Sequence, residues 1–135
     1  MSTSYLDSYM LVSQARNTLE RLMNVRLKSF GLTITQFHML ELLVKNKAIL
    51  PAHFAQHLGI SAAGVTTVVD QLERRQLLER LRNQPDRRTV RLQVTPDGAQ
   101  THSDATAALT GEHPQAHRAL PPSYFTALNT LLKAL

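Results

Sequence analysis

Arginine is concentrated in one short part of this 135-residue chain. Between Arg74 and Arg91 stand seven arginines and two acidic residues, whereas the rest of the chain carries eight basic and eight acidic side chains. The guanidinium group matches the geometry of phosphate. Like charges that face each other across a hairpin repel unless an anion lies beside them. The whole net charge of +5 therefore falls on one segment, and this indicates a surface for a polyanion.

The segment ahead of the arginines predicts an amphipathic helix. Four apolar residues recur at i, i+3, i+4 and i+7 and form its inward face: Val65, Val68, Val69 and Leu72. Ser61 supplies a side-chain oxygen for the N-cap. The opposite face begins with small and hydrogen-bonding residues, so that another molecule can approach it closely.

The period of the apolar residues changes from 3.6 to 2 after Leu78. Val90, Leu92 and Val94 alternate with polar residues, and Asn-Gln-Pro-Asp at 83–86 is a turn sequence. A β-hairpin over residues 78–95 is therefore predicted to carry the arginines.

Further helices are predicted around this unit. Residues 5–30 have apolar side chains spaced by threes and fours, and a second helix follows Thr33. A short helix begins at Pro51 and ends at Gly59. After residues 95–98 comes a helix poor in large apolar residues and interrupted at Gly111 and Pro114, and then an ending helix with an apolar stripe. We predict a mainly α fold with a small β-hairpin (α+β), in a single domain over residues 1–135.

Two helices joined by a tight turn, followed at once by an arginine-rich hairpin, predict a winged helix-turn-helix. The leading end of the second helix would enter the major groove of DNA, and the hairpin would reach a neighbouring minor groove. The candidate DNA-binding residues on the helix are Ser61, Ala62, Ala63, Thr66, Thr67, Gln71, Arg74 and Arg75. For Ala62, Ala63, Thr66 and Thr67 the alternative is an ordinary capped helix start.

Five stretches in this order and spacing give the chain a family resemblance. They are LTITQFHMLELL (32–43), FAQHLGIS (54–61), VTTVVDQLERRQLLER (65–80), DRR (86–88) and VTPDG (94–98). Together they resemble the MarR family of transcriptional regulators. The resemblance implies a recognition helix over 61–76 and a wing over 78–95, within a DNA-binding lobe over about 33–98. In the wing it implies DNA contacts by Arg87 and Arg88, and it gives Asp70 and Asp86 the role of orienting a wing arginine.

The same resemblance implies a homodimer, in which the first helix (5–31) and the last segment (about 99–135) interlock with their copies. Such a dimer would bind a pseudo-palindromic operator as a repressor and would be released by a small aromatic or anionic effector. Arg16 and His38 are the candidate effector ligands, and their alternative roles are a surface charge and a packed imidazole.

One position departs from the family pattern. Gln76 stands where the family usually has a glycine after the recognition helix. Either the turn into the hairpin differs, or Gln76 adopts a left-handed conformation at some energetic cost.

Several other functions are excluded or disfavoured. The absence of cysteine excludes disulfides and thiolate metal sites. No general base is placed for Ser61 and no phosphate-binding loop is found, so we expect no enzyme and no cofactor. The pairs His53–His57 and His113–His117 have the i, i+4 spacing of zinc ligands, but no carboxylate completes them and we expect exposed histidines.

We expect no membrane segment and a cytoplasmic protein, because no run of apolar residues is long enough to span a bilayer. The alternative from a different class is a winged-helix interaction module that uses the same basic face to dock an acidic protein.

Overall fold

A computed structural model describes residues 4–46, 50–82, 90–110 and 121–134 of the chain. Its elements are the helices α1 (Tyr5–Leu27), α2 (Ile34–Val44), α3 (Pro51–Leu58) and α4 (Ala62–Arg74), the strands β1 (Leu78–Arg82) and β2 (Val90–Val94), and the helices α5 (Pro96–Thr110) and α6 (Ser123–Ala134). A 3-10 turn over Lys28–Phe30 follows α1. The predicted fold class, mainly helical with one antiparallel hairpin, is confirmed.

Local sequence sets where the helices begin. The Thr33 hydroxyl accepts a hydrogen bond from the backbone N–H of Gln36, whose own side chain accepts from the backbone N–H of Thr33. Ser61 caps α4 in the predicted way, with its Oγ 3.0 Å from the backbone nitrogen of Gly64. Pro51 occupies the first turn of α3, and Gly59 ends that helix at a φ of 65°.

The core lies where α2, α3 and α4 meet the hairpin and α5. The predicted inward face of α4 is buried, with Leu72 fully inaccessible. The buried apolar residues of this cluster include Leu27, Phe37, Met39, Leu40, Leu43, Phe54, Val65, Val68, Val69, Leu78 and Leu92. The spacing of Phe37, Leu40, Leu43 and Val44 in the sequence predicts one buried face of α2. For Val44 this prediction is wrong: it is 37% exposed because it is the last residue of α2.

The two strands pair in antiparallel register, from Leu78 opposite Val94 to Arg82 opposite Val90. Leu78 and Leu92 are buried, while their neighbours within the strands, Glu79, Arg91 and Gln93, are exposed on the other face. One face of the hairpin is thereby fixed against α2 and α4. The tip of the wing, 83–89, lies outside the described residues.

A tight junction connects α4 to the hairpin and the hairpin to α5. Gln76 adopts a left-handed conformation with a φ of 60°, which settles the two alternatives of the sequence. Its carbonyl accepts a hydrogen bond of 2.6 Å from the Thr95 hydroxyl, and the Leu77 carbonyl accepts one of 3.1 Å from the Thr95 backbone N–H. A Cβ on Gly98 would come within 1.9 Å of the Leu77 carbonyl oxygen. Only glycine therefore lets α5 start so close to this turn.

Helices α1 and α6 leave much apolar surface uncovered. Leu27 is the one residue of α1 that is buried, whereas Tyr5 is 92% and Tyr9 68% exposed. In α6, Leu132 is 73% exposed. An open groove of about 380 Å³ runs between the two helices. The predicted interruption at Gly111 and Pro114 lies outside the described residues.

Candidate nucleic-acid interface

The amino-terminal half of α4 presents small side chains to solvent. Ala62, Ala63, Thr66 and Thr67 are all exposed, and the valines on the other face hold the helix against the core. The Thr66 hydroxyl donates to the carbonyl of Ala62 at 3.2 Å and the Thr67 hydroxyl to that of Ala63 at 3.1 Å. Each hydroxyl oxygen therefore keeps acceptor capacity that faces outward. The face is shallow enough for a close approach by a base edge or a phosphate.

Two predicted residues lie further along α4 and differ in their surroundings. Gln71 accepts a hydrogen bond of 2.8 Å from the side chain of Gln36, so part of its polar capacity serves the packing of α2 on α4. Arg74 is exposed in the last turn of the helix. Arg74 lies on the side of α4 that also carries Ala63 and Thr67, because these positions recur every three or four residues.

Arg75 makes hydrogen bonds within the protein that its sequence position did not predict. Its guanidinium donates to the carbonyl of Gly31 at 2.6 Å and to that of Phe30 at 2.9 Å. These carbonyls belong to the turn that ends the first helix, where unpaired acceptors and the helix dipole favour a cation. We therefore leave Arg75 out of the proposed DNA interface.

Asp70 contacts an arginine of the hairpin. The Asp70 carboxylate lies 2.5 Å from Nη2 of Arg80 on β1, and Nη1 of the same guanidinium lies 2.5 Å from the carboxylate of Glu73. The hydrogen bond to Asp70, followed by the one to Glu73, raises the pKa of Arg80 above its usual value, although partial burial opposes this. We call these three residues the Arg80 clamp. They join the helix to the wing.

The clamp lowers the charge available to a polyanion. When Asp70 and Glu73 are counted with the arginine-rich segment, its surplus of positive charge falls from five to three. Arg82 and Arg91 are exposed at the ends of the strands that lead to the wing tip. The tip itself carries Asp86, Arg87 and Arg88, all outside the described residues, so their predicted roles stay predictions.

The two candidate effector residues lie apart from this surface. Arg16 is exposed on α1 and pairs with Glu20 at 2.9 Å, at the edge of the groove between α1 and α6. His38 on α2 is exposed, although neighbouring residues shield part of its ring from water. Desolvation lowers the pKa of His38. The negative charge of Glu41 opposes this shift, and the positive charges of His57 and Arg16 add to it. The two residues thus lie within electrostatic reach of each other, and Arg16 lines the groove between α1 and α6.

Sequence comparison decides the family. The model of the MarR family matches residues 30–89. The transcriptional regulator MhqR of Bacillus subtilis is 30% identical over 98 residues, which are 73% of this chain and 68% of that protein. The chain belongs to the MarR family.

Solved structures of MarR regulators share the fold. A MarR variant from E. coli complexed with operator DNA matches with a TM-score of 0.80 at 23% identity, over 98% of each chain. CouR from Rhodococcus jostii RHA1 bound to p-coumaroyl-CoA matches with a TM-score of 0.82 at 22% identity, over 98% of this chain and 94% of that one. As a MarR family member, the chain is a DNA-binding transcriptional regulator, and its winged helix-turn-helix comprises α3, α4 and the hairpin.

Two residues of this MarR fold were missed by sequence reasoning. Glu73 follows Asp70 by three positions, and this spacing could have placed both carboxylates on one side of α4. His102 on α5 is buried, stacks on Phe37 with ring centroids 5.3 Å apart and lies 2.9 Å from the carboxylate of Glu41 on α2. No local sequence pattern predicts the contact of His102 with Glu41, because the two residues are 61 positions apart.

The histidine pairs do not form a metal centre in the part of the chain that the structure describes. His53 and His57 are both exposed on α3. Within 4–46, 50–82, 90–110 and 121–134, no group of three or more histidine, aspartate or glutamate side chains could hold a metal ion. His113 and His117 lie outside the described residues.

None of the helices within those residues is both long and apolar enough to cross a membrane.

Proposed function

We propose that this protein is a homodimeric repressor that binds a pseudo-palindromic DNA operator and is released by a small aromatic or anionic ligand. In this proposal the amino-terminal half of α4 reads the major groove and the wing contacts an adjacent minor groove. The protein would act in the cytoplasm, where its DNA is.

The observation that carries the proposal is the exposed leading face of α4. Its side chains are small and exposed, the hydroxyl oxygens of Thr66 and Thr67 keep spare acceptor capacity, and Arg74 lies on the same side two to three turns later. A helix of this kind fits the major groove and brings its first residues to the base edges. We assign base contacts to Ala63, Thr66 and Thr67 and a phosphate contact to Arg74. Ser61, Ala62 and Gln71 lie at the same surface.

The wing supplies the second part of the proposed interface. Arg82 and Arg91 are exposed on the strands on either side of the tip, and Arg87 and Arg88 follow the turn in sequence. Arginine inserted into a narrow minor groove is favoured by the negative potential there. The Arg80 clamp fixes the base of this hairpin to α4, so that both parts can face one duplex.

The uncovered apolar surface of α1 and α6 supports the homodimer. Tyr5, Leu6, Tyr9 and Leu11 are each more than 60% exposed, and the exposed face of α6 lies across a groove from α1. Apolar surface of this extent is a mark of an interface. In a two-fold dimer the two α4 helices would bind half-sites about 34 to 36 Å apart. Sedimentation of the protein should show a dimer, and Tyr9→Asp should shift it towards monomer.

An effector site is proposed in the crevice between the first helix and the DNA-binding lobe. An open cavity of about 510 Å³ lies at the junction of α1 and α2, with Lys28, Asn24 and Glu20 in its wall. The charge of Glu20 is paired with Arg16. Lysine would favour an anionic ligand, as p-coumaroyl-CoA is for the CouR structure. Arg16 and His38 stay candidates for contacts to a ligand that reaches beyond this cavity. A ligand that prefers the DNA-incompetent arrangement weakens DNA binding by its difference in affinity for the two states.

Titration of the protein against duplex DNA and against an acidic polypeptide, each at several salt concentrations, tests the DNA-binding function. The proposal predicts binding to duplex with an affinity that falls steeply with salt, by roughly 0.9 log units per log unit of salt for each phosphate neutralised. It also predicts a preference for one duplex sequence, which Thr67→Ala should change. Tighter binding to the polypeptide, with no preference among duplexes, would favour a module that docks acidic proteins.

A further inference from the structure

Among the described residues, the Arg80 clamp contains the only ion pairs between α4 and the hairpin. Asp70 and Glu73 stand one turn apart on α4, and each holds a different terminal nitrogen of the guanidinium at 2.5 Å. The Arg80 side chain is 27% exposed, so water only partly screens the pairs. Arg80 is therefore held in one geometry from two sides.

Glu73 differs from Asp70 because it also contacts the backbone of the strand. One oxygen of its carboxylate accepts from the guanidinium, and the other accepts from the backbone N–H of Arg80 at 3.2 Å. Glu73 thus binds β1 at two points, a side chain and a peptide group. Two contacts fix the orientation of β1 relative to α4, whereas a single ion pair would leave the strand free to rotate about it.

The charges of the clamp argue against a direct contact with DNA. Two carboxylates on one guanidinium leave a net negative charge beside the surface that faces phosphate in the proposed complex. Two of the five N–H donors of Arg80 are held by carboxylates, whose two negative charges outweigh the one positive charge of the guanidinium, and this disfavours a contact of Arg80 with phosphate. On simple electrostatic grounds Glu73 should weaken DNA binding. Its benefit must come from the geometry that it imposes.

We infer that Glu73 is a positioning residue, which holds the base of strand β1 so that the wing of this chain leaves the recognition helix in the direction that duplex DNA requires. The inference rests on the proposed DNA-binding function. It assigns Arg80 to the support of the wing and leaves Arg74, Arg82 and Arg91 as the described arginines that face DNA.

The test compares Glu73→Gln with Glu79→Gln in the full-length protein. Both substitutions remove one negative charge near the proposed interface, but Glu79 is an exposed residue of β1 outside the clamp. Fluorescence anisotropy with a labelled duplex measures the affinity of each variant. We expect Glu79→Gln to bind as tightly as the wild type or tighter, and Glu73→Gln to bind roughly three to five times more weakly. Equal effects of the two substitutions would overturn the inference.

A second pair of variants keeps the charge and changes the reach. Glu73→Asp retains the carboxylate but is one methylene too short to hold the guanidinium and the backbone N–H together, so it should lose affinity as Glu73→Gln does. Glu79→Asp should bind like the wild type. Wild-type affinity of Glu73→Asp would show that only the charge matters and would refute the inference.

Thermal unfolding separates positioning from general stability. We expect the melting temperature of Glu73→Gln to stay within roughly 3 °C of the wild type, because the clamp is partly exposed. A variant that unfolds would show that Glu73 serves the fold itself, and this also would overturn the inference. If the wild type fails to bind any duplex, the proposed function fails; if the wild type binds and the Glu73 variants bind equally well, only the positioning role fails.

Discussion

Two neighbouring arginines at the end of α4 should respond in opposite ways to the same substitution. Arg75 donates hydrogen bonds of 2.6 and 2.9 Å to the carbonyls of Gly31 and Phe30, whereas Arg74 is exposed on the side of the helix that is proposed to face DNA. Arg74→Ala and Arg75→Ala each remove one positive charge from the same turn. Each variant is therefore the control for the other.

The magnitude for Arg75 follows from its two contacts. A hydrogen bond with a charged partner contributes about 1.5 to 3 kcal/mol when it is buried, and exposure of the Arg75 side chain reduces this, so we expect Arg75→Ala to lower the free energy of unfolding by about 1 to 2 kcal/mol. Arg74→Ala should change it by less than about 0.5 kcal/mol. Urea unfolding followed by circular dichroism measures both values.

The effects on DNA binding should be reversed. Arg74→Ala should reduce the slope of log affinity against log salt by roughly 1.8 for the dimer, the loss of one phosphate contact at each of the two half-sites. Arg75→Ala should leave that slope unchanged under conditions where the variant is folded. The assignment would be refuted if Arg75→Ala flattened the slope at full stability, or if Arg74→Ala destabilised the protein and left DNA binding intact.

Three further predictions concern the fold that supports the site. Gly98→Ala should lower the free energy of unfolding by about 3 kcal/mol or more in urea, since its Cβ would lie 1.9 Å from the Leu77 carbonyl oxygen; a loss under about 1 kcal/mol would contradict the close approach. Gln76→Gly should raise the free energy of unfolding by about 1 kcal/mol, because glycine adopts the positive φ without strain. A decrease would show that contacts of the Gln76 side chain stabilise the fold by more than the backbone strain costs. Burial opposes the charged form of Glu41, but hydrogen bonds from Lys45 and His102 outweigh it and lower the pKa of Glu41. The folded state therefore binds this proton less readily than the unfolded state, and stability should fall as the pH drops below the ordinary pKa of a glutamate towards the lower pKa of Glu41 in the folded state. Glu41→Gln should weaken that dependence in urea unfolding at pH 7 and pH 4.

Much of the DNA-binding lobe could be predicted because its determinants are local. The valine stripe and the Ser61 cap define α4 within a dozen residues, and Pro51 and Gly59 mark both ends of α3. The alternation of Val90, Leu92 and Val94 defines the second strand in the same way. Such patterns express the period of one element and need no knowledge of its neighbours.

What the sequence could not supply depends on contacts between distant segments. Arg75 looked like its neighbour Arg74 until the turn at Gly31, 44 positions away in sequence, was seen to accept its hydrogen bonds. The contact of His102 with Glu41 spans 61 positions. Tertiary packing decides which arginine is available to a phosphate and which one stabilises the fold. The composition of the sequence does not distinguish the two.

The Arg80 clamp contains one residue whose role the resemblance implied and one that the sequence did not point to. The resemblance implied that Asp70 orients a wing arginine, and the structure places Asp70 against Arg80, at the base of the hairpin. The wing residues Arg87 and Arg88 fall outside the described residues, so that their share of the interface stays a prediction. The negative charge of Glu73 is unfavourable for DNA binding when it is considered alone. Its contribution becomes clear only from its contacts with Arg80, which the structure shows.

Site-specific photo-cross-linking tests the central claim most directly. A photoreactive amino acid at Thr67, on the exposed face of α4, should cross-link to a labelled duplex in the wild-type background, and the yield should fall with rising salt. The same amino acid at Asp104, exposed on α5, should give no cross-link. Cross-linking from position 104 with none from position 67 would mean that DNA lies elsewhere on the molecule and would contradict the account.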